Sequence, residues 1–130
     1  EIKKKVCGFH RQGDNMIVDK PWGYEHIWAK TNKYVGKLLY IEEGERLSLQ
    51  YHRMKEETIY VLEGILELVL EEGSRREKES LILQKGDAYH IKPLTVHRFA
   101  ATQGTDVKLM EVSTTQLDDV VRIEDDYSRK

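Results

Sequence analysis

Apolar and polar residues alternate over short stretches of this chain, and no stretch keeps a helical period for long. From Glu57 to Val61 the aliphatic positions Ile59 and Val61 are separated by Thr58 and Tyr60, and the run from Val107 to Ser113 repeats the pattern. A period of two puts successive side chains on opposite faces of a strand. The alternation predicts strands at 24–28, 34–41, 46–50, 57–63, 65–71, 80–83, 88–91, 96–100 and 107–113. Between or beside them fall Glu43-Gly44, Glu63-Gly64, Glu72-Gly73, Lys85-Gly86 and Gln103-Gly104, dipeptides suited to chain reversals. Short strands at this spacing predict a single all-β domain built as a closed barrel or a sandwich.

Two segments break the pattern. Residues 73–80 carry mixed charge and no apolar side chain, which predicts the solvated loop of a long hairpin. Residues 114–130 hold Val120, Val121 and Ile123 as their large aliphatics beside Leu117 and predict a short helical or extended arm laid on the barrel. No repeat of solenoid type is present.

Composition narrows the function classes. The chain has 130 residues, 39% hydrophobic and 34% charged, enough apolar material for one core and too much for disorder. Twenty-one Lys and Arg stand against 23 Asp and Glu, a net charge of -2, so no global field favours nucleic acid or an acidic membrane. Any anion must be held by local cations. No apolar run approaches the roughly 18 residues of a membrane helix, and the basic opening has no apolar segment of a secretory signal. The single cysteine, Cys7, has no internal partner, in keeping with the cytoplasmic location we expect.

The densest group of potential ligands is Gln50-Tyr51-His52, with Glu57 five residues after His52. On a strand Gln50 and His52 share a face. Glu57, opening the next strand, faces the same way as Ile59 and Val61, and a carboxylate on an apolar face is costly unless paired or metal-bound. His97, after Pro93-Leu94-Thr95, shares its face with Phe99. Imidazole, carboxylate and amide oxygen make a mixed N/O set suited to a divalent metal, zinc first and then iron or manganese, and unlike the sulfur-rich sites of copper(I).

The spacing from Gly44 through Gln50, His52 and Glu57 to Gly64 resembles the first motif of the cupin superfamily, with Gln50 where that motif has its first His. Gly86-Asp87 followed by residues 91–97 resembles the second motif, with Lys92 and Leu94 in place of its usual Pro and Gly. The resemblance implies a jelly-roll β-barrel at 19–113 between an N-terminal arm, 1–18, and a C-terminal arm, 114–130. It also implies a four-ligand metal set of Gln50, His52, Glu57 and His97. The flanking strings Lys20-Pro21-Trp22-Gly23-Tyr24-Glu25, Leu47-Ser48-Leu49-Gln50-Tyr51-His52 and 118–129 are similar to the type II mannose-6-phosphate isomerase domain. In that family His-Trp usually follows the ligand Glu, where this chain has Thr58-Ile59-Tyr60. Lys55 stands where an Arg is usual.

An isomerase of this kind needs a metal to polarise two sugar oxygens, a proton carrier near the metal, and a phosphate grip. For the carrier the candidates are Glu111, then His90, then Lys37; Glu111 lies in a strand-like run where a carboxylate suits a polar cavity. Lys37, Arg98 and Arg122 are the cations in family-like strings. Arg98 follows His97 and is expected on the opposite face, and Arg122 has a rival role pairing with Asp118, Asp119 or Asp125. Trp22 and Tyr24 are candidates to stack on a sugar. The expected ligand is a small sugar phosphate, and a homodimer is expected through edge strands and arms. The alternatives are a non-catalytic sugar-binding or regulatory metal cupin and an iron-dependent dioxygenase.

Overall fold

The computed structural model describes residues 16–72 and 77–129; all its sheet pairings are antiparallel, and none of these residues is helical. The strands are β1 Met16–Lys20, β2 Gly23–Lys30, β3 Val35–Ile41, β4 Leu49–Tyr51, β5 Glu57–Glu63 and β6 Leu66–Glu72. They continue as β7 Glu77–Leu83, β8 Ala88–Ile91, β9 Val96–Ala100, β10 Val107–Ser113 and β11 Val121–Glu124. One sheet has the order β11-β4-β9-β6-β7 and the other β1-β2-β3-β10-β5-β8. They face one another as a jelly roll with the core between. No described helix is long and apolar enough to cross a membrane.

The alternation read from the sequence explains the core. Ile59 and Val61 on β5, Leu66, Leu68 and Leu70 on β6, and Val107 and Leu109 on β10 are all 2% exposed or less. Each such side chain contributes about 1.5–3 kcal/mol of burial energy. Gly64 turns β5 into β6 with φ +84°, and a Cβ there would fall 2.0 Å from the Asp106 carbonyl oxygen, so the turn tolerates no side chain. Leu94 adopts φ 69° without being glycine, and its N–H donates to the His52 carbonyl at 2.6 Å. That bond ties the turn before His97 to the end of β4.

Several expectations change. Met16–Lys20, which straddles the expected boundary between N-terminal arm and barrel, is an edge strand paired along β2, so the sheet reaches into the expected arm. Glu77–Ser80 belongs to β7, not to a loop; the hairpin register continues from Leu66 opposite Leu83 to Glu72 opposite Glu77. Its charged residues are exposed on a sheet edge, where charge discourages pairing with another chain. The predicted strand at 46–50 is a single bridge, Arg46 with Ala100, followed by β4. The C-terminal arm is extended, and β11 adds to β4. Cys7 lies outside the described residues.

Candidate metal centre and its cavity

His52, Glu57 and His97 meet between the sheets, 5%, 3% and 2% exposed. His52 follows β4, Glu57 opens β5 and His97 lies on β9, so three separate strands position them. Their ligand atoms all lie within 4.8 Å of one another. Glu57 Oε2 is 3.2 Å from His52 Nε2 and 3.2 Å from His97 Nε2.

The tautomers decide what these contacts mean. His52 Nδ1 lies 2.6 Å from the Asp119 carbonyl oxygen, and His97 Nδ1 lies 2.8 Å from that of Thr95. A carbonyl only accepts, so each Nδ1 donates and each neutral ring presents a lone pair at Nε2. Glu57 Oε2 accepts no hydrogen bond. Three lone-pair atoms therefore converge on one buried point, an arrangement a divalent cation satisfies. Gln50 stands opposite His97 in register and faces the same cavity. Its Nε2 donates to Ser48 Oγ at 2.9 Å, which leaves Oε1 as the amide atom for a ligand.

The turn that separates His52 from Glu57 is fixed by the C-terminal arm. The Asp119 carboxylate accepts the N–H groups of Arg53, Met54 and Lys55 at 3.1, 2.7 and 2.9 Å, and those amides hold its pKa below the usual value. Asp119 thus orients His52 through its own carbonyl and the turn through its side chain. Asp119, expected as one partner for Arg122, instead holds this turn, a role that no local signal in the sequence marks.

The cluster opens into a cavity of about 400 Å³ whose wall includes Trp22, Glu25, Lys37, Lys55, Glu111 and Arg122. Lys55 Nζ is 3.1 Å from Glu111 and 3.5 Å from Glu57, and Lys37 Nζ is 3.1 Å from Glu25. Burial acts against the Lys55 ammonium, but the two carboxylates outweigh it and hold its pKa above the ordinary range. Burial alone would raise Glu57; His52 and His97, which donate to it from Nε2 when protonated, and the Lys55 charge together hold it well below the ordinary carboxylate range. Glu111 moves the other way, pushed up by burial and then by the Glu57 charge, against the pull of Lys55 and Lys37.

The expected site residues separate accordingly. Gln50, His52, Glu57, His97, Glu111, Lys37, Trp22 and Arg122 all border the cavity. His90 does not: it pairs opposite Thr58 on the outward row of β5 and β8, half exposed, and contacts Glu56. Tyr24 is also turned away, stacked on Tyr40 with ring centroids 5.2 Å apart, because its neighbours Gly23 and Glu25 take the inner face. Arg98 lies on the outer face of β9, where its Nε donates to the Leu47 carbonyl. Of the three carboxylates expected as partners of Arg122, Asp119 is engaged by the amides of the turn and Asp125 by Arg129, while Asp118 borders the same cavity as Arg122. Glu25 was not singled out in the sequence; its alternation with Ile27 on β2 was the available signal.

Residues 37–113 match the family model of the cupin domain, and the chain belongs to the cupin family. Among curated proteins it is similar to the mannose-1-phosphate guanylyltransferase RfbM of Salmonella typhimurium, 25% identical over 93% of this chain and 26% of that protein. It is also similar to the alginate biosynthesis protein AlgA of Pseudomonas aeruginosa, 26% identical over 99% of this chain and 27% of that protein. The chain spans about a quarter of the length of these relatives. Among solved structures, the capsular polysaccharide assembling protein CapF of Staphylococcus aureus superposes with a TM-score of 0.74 at 15% identity. That match covers 84% of this chain and 31% of CapF and shows a shared fold.

Proposed function

We propose that this cupin is a metal-assisted aldose-ketose isomerase acting on a sugar phosphate, of the mannose 6-phosphate to fructose 6-phosphate type. The observation that carries the reading is Glu111, a carboxylate 3% exposed that borders the cavity beside the metal cluster without belonging to it. A bound divalent metal, zinc, iron or manganese, supplies Lewis-acid polarisation of two neighbouring sugar oxygens. Glu111, with its raised pKa, takes the proton from C2 and returns it to C1. Lys55 at 3.1 Å balances its charge, and Lys37, opposite Glu111 in register, is the second candidate for the proton. Trp22 forms a buried wall of the cavity, and its contact with a sugar belongs to the same reading. The relatives named for mannose 1-phosphate and for alginate support a carbohydrate substrate. Pairing of two copies stays part of the reading, and sedimentation equilibrium checks it.

The test is exchange of the C2 proton of mannose 6-phosphate in deuterated water by the metal-loaded protein. Exchange is expected, with Glu111→Gln lowering it by about 10²–10⁴-fold while metal content is unchanged. Bound metal without exchange on any sugar phosphate overturns the isomerase and leaves the non-catalytic sugar-binding cupin. Oxygen consumption by an iron-loaded sample would instead support the dioxygenase.

A further inference from the structure

Arg98 carries a guanidinium that is 4% exposed, on the face of the sheet opposite the metal cluster. A buried charge persists only where it is paired and hydrogen-bonded. Here Nε donates to the Leu47 carbonyl at 2.8 Å and Nη2 to the Glu124 carbonyl at 3.3 Å, with the carboxylates of Glu124 and Asp126 at 3.6 and 3.9 Å. These contacts join three pieces of chain: the approach to β4, β9 itself, and the end of β11.

The piece at the edge of the sheet is β11. It has four residues and sits at the edge of its sheet with β4 as its strand neighbour. Its register shifts between Arg122 and Glu124, where Arg98 takes the Glu124 carbonyl. Register matters because a one-residue slip turns every side chain to the other face. In the observed register Arg122 stands opposite Gln50, and Gln50 opposite His97, so the three form one row across the cavity side of the sheet. Two strand spacings put the Arg122 backbone on the order of 10 Å from that of His97.

We propose that Arg122 is the seat for the phosphate of a sugar phosphate whose far end reaches the metal cluster, and that Arg98 is the positioning residue that sets Arg122 by clipping β11 in register. The seat follows from a planar guanidinium, suited to bidentate contact with phosphate, set one strand beyond Gln50 and two beyond His97. The identity of the ligand rests on the isomerase reading; the clip does not.

The test uses the metal-loaded full chain and sorbitol 6-phosphate, which has no carbonyl to turn over, with sorbitol as the comparison, each titrated by calorimetry. R122M is expected to weaken sorbitol 6-phosphate about tenfold or more and to leave sorbitol unchanged. R98M is expected to do the same, and the R98M/R122M double variant to lose no more than either alone. Where R98M fails to fold, R98K keeps the charge but not the fork, and it carries the test with an intermediate loss. Wild-type affinity in R122M, with the loss appearing instead in Lys37→Met, overturns the seat. An R98M protein that melts earlier but binds sorbitol 6-phosphate normally overturns the positioning role. The expected binding pattern without C2 proton exchange on mannose 6-phosphate supports the seat and the clip and defeats the isomerase reading alone.

Discussion

Glu57 and Glu111 are each 3% exposed, border one cavity and share the ammonium of Lys55, yet their proton affinities are driven apart. Glu57 has two imidazoles at 3.2 Å besides Lys55 and is held as the anion. Glu111 has burial and the Glu57 charge against it and is raised. Two like groups in one cavity thus divide into a ligand that keeps its charge and an acid that is easily protonated. The difference comes from neighbours on other strands, since each residue by itself is a carboxylate on the inner face of a strand.

The sharpest way to break this comparison is to remove each carboxylate in turn. Glu57→Ala is expected to weaken metal binding more than about a hundredfold, beyond what loss of an outer partner of a ligand costs, whereas Glu111→Gln retains the metal. Metal analysis after dialysis reads both, and equal loss in the two variants would erase the distinction. Next in size is Lys55→Met, which leaves two buried carboxylates facing each other. It is expected to cost about 3–5 kcal/mol in urea unfolding, with part recovered when Glu111→Gln is added. No recovery would mean that Lys55 balances Glu57 alone.

A carboxylate near the surface of the C-terminal arm supplies a pH control without a metal cluster. Asp125, bound through Nε and Nη2 of Arg129, has its pKa lowered from the ordinary 3.8 to about 2. A lowered carboxylate stabilises the fold above its unfolded pKa and loses that contribution as pH falls through the folded value. The melting difference between wild type and Asp125→Asn is therefore expected to be constant above about pH 5 and to vanish towards pH 2. A difference that grows in acid would reverse the sign. The smallest effect belongs to the exposed His90 and Glu56 pair: His90→Ala is expected to change stability by at most about 1 kcal/mol and to leave C2 proton exchange intact. Loss of exchange there would return His90 to the chemistry.

Much of this molecule is written in local pattern. The period of two located most strands of both sheets, because one face of each had to be apolar to form the core. That Gln50, His52, Glu57 and His97 face inward was legible for a related reason, since polar side chains at inward positions of apolar strands demand a partner, while their reading as one ligand set came from the resemblance to the cupin motifs. The first hairpin strand was less legible because Met16 and Ile17 at its edge are exposed and its pattern is short. Glu77–Ser80 misled because strand pairing there comes from the hairpin register and not from apolar content.

What the sequence alone determined was the all-β class and the strand faces, since both depend on residues two positions apart. Tertiary structure decided which cations and carboxylates share the cavity, that His90 and Tyr24 face away, and that Asp119 and Arg98 act from across the fold. The Arg98 and Asp119 contacts join residues 26 and 67 positions apart, a juxtaposition set by register between strands that no local period encodes.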